Sequence, residues 1–482
     1  MTISKLNIPD RSQPGPMTAP SVGRSQDRGV KYATGATKIR GRDNITIGTW
    51  NVRTLRPNGK LEELSHELDR YRWNIIGLSE ARWKFHGELC TDEGHKLYYS
   101  GSEMKHEHGV GFIIHKDTVN AVMGCKPVSE RLISLRMRAS PFNITIIQVY
   151  APTTSHGDDE MESFYSHVQT LVDETPKKDI LVVMGDWNSK VGEDAQPDWK
   201  DVCGPYCNPE TNDRGLRLLD FATYNNLVLA NTLGQHKASR RWTWHSPDGN
   251  HHNQIDYILD KKRFRSGINV ARTRSFPGAD VGSDHDLLMM TFRTRLKNPR
   301  NPSKSGSTLT ETASELLGKH RHVKKPWITK EVLKLCDRRR ELKCKRYNPD
   351  GAREYREANK LVKNGIKKAK ENWIGQQCEE VESSLNKNNS RKAYQLVKNL
   401  TTVKNSRSAT IQDKDGKCLV EEKEILNRWT QYCSELYNYE LQGDPSILDC
   451  PQHYPDNEES QPILREEVEV AVNALKRARH QA

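Results

Sequence analysis

Leu181-Val182-Val183-Met184-Gly185-Asp186-Trp187-Asn188 decides how the chain is read. Four apolar residues bounded by a glycine predict a strand buried on both faces. That strand closes on a carboxylate and a carboxamide, Asp186 and Asn188. Side chains at i and i+2 of an extended chain point the same way, so both are expected to face one reacting centre. The plain alternative is a strand followed by an Asx-turn. Other strands that end on polar residues favour the first reading.

Working outward, Ile45 to Val52 alternates like a strand and ends near Asn51. Trp73 to Glu80 is a short apolar strand ending on a carboxylate, and Ile144 to Tyr150 ends on a phenol before Ala151-Pro152. Gly109 to Ile114 and Ile133 to Met137 are further strand candidates. Gln254 to Leu259 predicts a strand with Asp256 inside it, and Ser283-Asp284-His285-Asp286 precedes the apolar run Leu287 to Phe292. Helices are expected over Leu61 to Tyr71, Glu160 to Asp173 and Gly215 to Tyr224, each with an apolar stripe. Intermixed strands and helices across 44–296 make one α/β domain.

The 482 residues allow two or three domains. With 34% hydrophobic residues and a mean hydropathy of −0.83, the chain has no apolar run of membrane-spanning length. It also lacks an apolar signal-peptide core, so no membrane partner is expected. Residues 1–43 read as a disordered basic leader. Residues 297–318 read as a linker, and 319–482 as a basic, mainly helical region with pieces such as Leu419 to Leu436 and Ile463 to Leu475. Between Lys319 and Gln376 there are 19 Lys and Arg against 7 Asp and Glu, an excess equal to the formal charge of +12 on the whole chain. A charge run is usually a solvated face, but an excess of this size favours a polyanion. DNA is the expected partner, with RNA a further one for the basic region. The nucleus is the expected location, otherwise the cytoplasm. Ten scattered cysteines fit a reducing compartment. Cys203-x-x-x-Cys207 has passable zinc spacing without a second ligand pair nearby.

Ligands gather where the strands of α/β sheets end, so Asn51, Glu80, Tyr150, Asp186, Asn188, Asp256, Asp284 and His285 are expected to share one crevice. Oxygen ligands without cysteine suit Mg²⁺, with Mn²⁺ as an alternative. Glu80 is the best metal ligand, with Asn51 and Asp284 beside it. His285 can move protons near neutral pH, oriented by Asp256. Tyr150 and Asn188 are neutral donors for phosphate oxygens. The set points to water attacking a phosphodiester.

Thr49-Trp50-Asn51-Val52-Arg53, Leu78-Ser79-Glu80, Val149-Tyr150-Ala151-Pro152, Gly185-Asp186-Trp187-Asn188, Ile255-Asp256-Tyr257 and Ser283-Asp284-His285 occur in an order that resembles the endonuclease/exonuclease/phosphatase superfamily. The details are most similar to the apurinic/apyrimidinic-type endonuclease of RTE/BovB-type LINE retrotransposons and the related craniofacial development protein 2-like family. The region from about 320 resembles the segment that precedes the reverse transcriptase in such elements. The resemblance implies a four-layer sandwich, two β-sheets packed face to face between helices. It implies Glu80, Asn51 and Asp284 at the metal, Tyr150 and Asn188 on the phosphate, and Asp256 holding His285. Asp186 then activates the water or protonates the leaving oxygen, and the choice of base between Asp186 and His285 stays open. Asn212 matches a further polar position of related nucleases.

The implied activity is Mg²⁺-dependent DNA nicking. A phosphatase or lipid phosphodiesterase of the same superfamily shares these residues, and a catalytically idle nucleic-acid-binding protein is the rival from another class. No reverse transcriptase is expected. Asp158-Asp159, the only adjacent Asp pair, reads as a solvated loop and helix start, and a chain ending at Ala482 reads as a nuclease-only product. Residues 44–296 are expected to fold and cut alone.

Overall fold

The structure is a computed structural model and describes residues 39–40, 44–293, 327–346, 349–387, 389–401 and 422–437, with isolated positions between 411 and 419. The leader beyond Ile39 and Arg40, the 297–318 linker and the helix expected at Ile463 lie outside them.

In chain order the principal strands are β1 (Ile45–Asn51), β2 (Ile75–Ser79), β3 (His86–Cys90), β4 (Lys96–Ser100), β5 (Val110–Ile114), β6 (Val122–Ser129) and β7 (Leu132–Met137), followed by β8 (Ile144–Tyr150), β9 (Ile180–Asp186), β10 (Leu227–Leu229), β11 (Asp256–Lys261), β12 (Ile268–Phe276) and β13 (Leu287–Phe292). They form a seven-stranded sheet in the order β12-β13-β1-β2-β5-β4-β3 and a six-stranded sheet in the order β10-β11-β9-β8-β7-β6. The pairs β1/β2 and β8/β9 are parallel. The other strand pairs in these sheets are antiparallel.

The period of two along β9 explains the layering. Ile180, Val182 and Met184 join Ile47, Ile75 and Phe112 of the other sheet in the central core. Leu181 and Val183 face the opposite way, onto α2 (Asp158–Glu174) and α3 (Asp213–Tyr224), against Phe164, Val168 and Leu218. On the outside of the seven-stranded sheet, Ile76, Leu78 and Met289 bury Leu64 and Leu68 of α1 (Lys60–Leu68). The result is the four-layer sandwich expected from sequence. Asp158 and Asp159 open α2, the helix start expected of them. Cys203 and Cys207 are buried free thiols.

The basic region supplies α4 (Lys330–Lys343), α5 (Pro349–Asn386) and α6 (Ser390–Thr401). They belong to one compact unit with the sheets, Met1–Ile425. Helix α4 lies against α1, where Arg340 Nε donates to Glu67 Oε1 at 2.8 Å and His66 Nε2 stands 3.0 Å from Asp337 Oδ1. A second unit, Leu426–Ala482, has its described residues in α7 (Glu422–Tyr437). Among the described residues no helix is long and apolar enough to cross a membrane.

Candidate active site

Sheet register delivers the polar residues to one place. Tyr150 and Asp186 pair across the parallel β8/β9 ladder, and Asp186 pairs with Asp256 across the antiparallel β9/β11 ladder. Asp256 is therefore the first residue of its strand, not an interior one. An antiparallel neighbour must begin where β9 ends, and that puts the two carboxylates side by side. Gly185 takes φ 153, and a Cβ there would lie 2.0 Å from Val149 O, so the ladder closes this tightly only on glycine.

The buried Asn51 links two carboxylates: its Nδ2 donates to Glu80 Oε1 and to Asp186 Oδ2, each at 2.9 Å. Arg53 N fixes the amide by donating to Asn51 Oδ1 at 2.9 Å. Glu80 sits at φ 54, just beyond β2, and its second oxygen accepts from Arg82 at 2.6 Å. On the other side, His285 Nδ1 is 3.0 Å from Asp256 Oδ2 and its Nε2 is 3.8 Å from Asp186 Oδ2. Burial opposes charge on His285, but the Asp256 and Asp186 carboxylates outweigh it and raise the imidazole above its ordinary value. Burial, and then the Asp256 charge, push Asp186 above the usual carboxylate range. The Tyr150 phenol is also raised, by burial and then by the charges of Glu80 and Asp186, so it remains a donor.

Asn188 departs from the extended geometry expected for it. Its φ is 48 and its backbone N donates to Asp186 Oδ1 at 3.0 Å, so the Asx-turn is what forms. The turn carries the Asn188 amide across to Ala151 O at 2.8 Å, beside the end of β8. Asp284 lies in the loop before β13 and lines a cleft of about 260 Å³ together with Arg53, Ser283, Arg346 and Arg356. Asn212 acts locally, capping α3, with its Oδ1 accepting from Gly215 N at 2.8 Å and Lys190 N at 2.9 Å.

Of the supporting residues, Gln148, Arg131 and Thr243 gave no sequence signal, and Ser283 stood in a motif without a role of its own. Gln148 crosses between the sheets, donating to Thr49 Oγ1 at 2.9 Å and Ser79 Oγ at 3.0 Å. The Arg131 guanidinium lies 5.3 Å from the Tyr150 ring centroid. Ser283 Oγ donates to Asn51 O at 2.6 Å, and Thr243 Oγ1 accepts from Asp256 N at 3.0 Å. A hydroxyl of this kind looks like any other loop serine or threonine until the chain is folded.

Among the described residues, Asp186, Asp256 and His285 form the group of carboxylate and imidazole atoms mutually within 4.8 Å. This group has its own internal cation in the imidazolium. Glu80 suits a hard divalent cation better: it is an oxygen donor, its side chain keeps 16% exposure, and Asn51 and Asp186 lie next to it.

Residues 48–285 match the endonuclease/exonuclease/phosphatase family, the span that holds all six sequence blocks. Over 256 residues the chain is 45% identical to craniofacial development protein 2 of Tragulus javanicus and 44% identical to that of Bos taurus. These matches cover 53% of this chain and 43% and 42% of the relatives, so it spans less than half of their length. Among solved structures, the endonuclease domain of TRAS1, a telomere-specific non-LTR retrotransposon, aligns over 52% of this chain and 99% of that one, at 15% identity and a TM-score of 0.38. A 3'-5' exonuclease from Neisseria meningitidis aligns over 52% and 100%, at 19% identity and a TM-score of 0.38. Members of the family are generally metal-dependent hydrolases of phosphodiester bonds. Through residues 48–285 the chain belongs to the endonuclease/exonuclease/phosphatase family.

Proposed function

We propose that this chain is a Mg²⁺-dependent DNA endonuclease that nicks phosphodiester bonds, with Mn²⁺ as a substitute ion and nuclear DNA as its substrate. The observation that carries the reading is the joined donor set, in which Asn51 ties Glu80 to Asp186 while His285 stands between Asp186 and Asp256. Glu80, Asn51 and Asp284 would hold the ion. Its positive charge would lower the cost of negative charge building on the phosphate. Tyr150 and Asn188 donate to phosphate oxygens, and His285, flanked by two carboxylates, serves as a fixed cation beside them. Asp186 is then the acceptor for the proton of the attacking water.

Incubation with supercoiled plasmid tests this. Open circles that form with Mg²⁺ and not with EDTA are expected. Hydrolysis of inositol phosphates or sphingomyelin with intact plasmid would assign the site to the small-substrate branch of the family instead. Glu80→Gln keeps the shape of the ligand and weakens it, so the Mg²⁺ concentration for half-maximal rate should rise. An unchanged metal titration would remove Glu80 from the ion.

The basic helices are proposed to hold the substrate. Lys363, Lys367 and Lys368 are exposed on α5. Replacing all three with alanine should flatten the plot of log affinity against log salt by about 0.9 for each phosphate that is no longer neutralised. An unchanged slope would place the DNA elsewhere.

A further inference from the structure

The loop between β12 and β13 carries Ser283, Asp284 and His285 toward the site, and its underside is held by a helix outside the family-matched residues. Two of its aspartates, Asp280 and Asp286, are fully buried. Asp280 receives Arg339 Nε on Oδ2 at 2.6 Å and the Tyr355 hydroxyl on Oδ1 at 2.7 Å. Asp286 stands 3.0 Å from Lys343 Nζ, the side chains being 0% and 1% exposed. Lys343 Nζ also donates to Ala279 O, at the start of the same loop. Both cations stand on α4 (Lys330–Lys343), and Arg346 just past it lies 3.8 Å from the same Asp286 oxygen.

From Asp286 the contacts run to the reacting groups without a break. Its Oδ2 lies 2.7 Å from His245 Nε2, and His245 N donates to Asp284 O at 3.1 Å. Asp286 N donates to Thr243 O at 2.8 Å, and Thr243 Oγ1 accepts from the backbone of Asp256, the partner of His285. A residue on α4 is thus linked, through one buried carboxylate, to the backbone that carries Asp284 and His285.

We propose that Lys343 is a positioning residue for this site, acting through Asp286, so that α4 is a working part of the nuclease and not an appended tail. The proposal rests on the hydrolytic reading above and is tested so that the two can fail separately. In the full-length chain, Lys343→Met is expected to slow single-turnover DNA cleavage about tenfold or more, with affinity for uncut DNA within about twofold, because sub-ångström placement governs rate more than binding. If Lys343 acts through Asp286, its penalty vanishes in an Asp286→Asn background. Equal penalties in both backgrounds, or a normal rate in Lys343→Met, would overturn the proposal. If Lys343→Met alone does not fold, Asp286→Asn and the charge-neutral double variant still decide: equal, slowed rates are expected, and a wild-type rate in either refutes it. Amide exchange at 283–286 gives a reading independent of catalysis. Faster exchange in Lys343→Met with unchanged exchange in β1 is expected, and unchanged exchange at the loop refutes the tether even if the wild-type chain cuts no DNA.

Discussion

Asp186→Ala and His285→Ala are each expected to lower single-turnover DNA cleavage by about 100- to 10,000-fold, the range for loss of a positioned proton acceptor or of a fixed charge beside the reacting phosphate. Asp186 is the hub of the arrangement. It accepts from Asn51 Nδ2 and Asn188 N, and His285 Nε2 faces it at 3.8 Å. Its removal takes away a proton acceptor and one of the two carboxylates that hold the imidazole charged. His285→Ala leaves Asp186 and Asp256 side by side without their cation, which raises the cost of ionising either. The two losses should therefore be far from additive: the double variant should be little slower than the worse single one. Rates within a few-fold of wild type in both variants, at saturating Mg²⁺ and DNA, would dismiss this assignment. Folding should survive Asp186→Ala, because a carboxylate pushed upward by burial costs stability in its ionised form.

Much of this site is legible in the chain because its residues close apolar runs. The two-faced burial of β9 follows from Leu181 to Met184, and the ends of β1, β2, β8 and β9 place Asn51, Glu80, Tyr150 and Asp186. One local geometry was open between two readings, extended or Asx-turn, and a second was not legible. Asn188 leaves the extended conformation because the Asp186 carboxylate captures its backbone N–H, a bond within three residues that no pattern of hydrophobicity encodes. Asp256 opens β11 because the strand runs antiparallel to β9, and strand direction is a property of the sheet. The largest gap concerns charge. In sequence, Arg339 and Lys343 are two of many cations in a segment that reads as a solvated basic face. Their partners, Asp280 and Asp286, lie some 60 positions earlier, where Asp280 stands between Ala279 and Val281 and Asp286 heads the apolar run from Leu287. That apolar setting was the available signal. An aspartate set beside core residues calls for a buried cation, and the largest surplus of cations lies downstream.

Arg339→Met is expected to destabilise the full-length chain by about 3–5 kcal/mol, the cost of breaking a buried ion pair by removing one partner. Arg339 is 1% exposed and lies between two acids that are nearly as buried, with Asp280 Oδ2 on its Nε at 2.6 Å and Glu63 on its NH2. Its third contact is Asn359 Oδ1 on α5, at 3.2 Å. One guanidinium therefore joins α1, the β12–β13 loop and the basic helices. Without it, two buried carboxylates lose the cation they share, and that weakens the fold. The paired change Arg339→Met with Asp280→Asn removes one charge of each sign and leaves Glu63 on Lys60, 3.2 Å away, so most of the loss should return. This bears on the expectation that 44–296 fold alone. A chain cut at 296 leaves Asp280, Glu63 and Asp286 without the cations of α4, so its stability should fall by at least as much as that of Arg339→Met. Urea unfolding of the full-length chain, the single variant, the double variant and the shortened chain measures all four. Equal midpoints for full-length wild type and Arg339→Met would show that the pair holds nothing together, and an equal midpoint for the shortened chain would show that 44–296 stand by themselves.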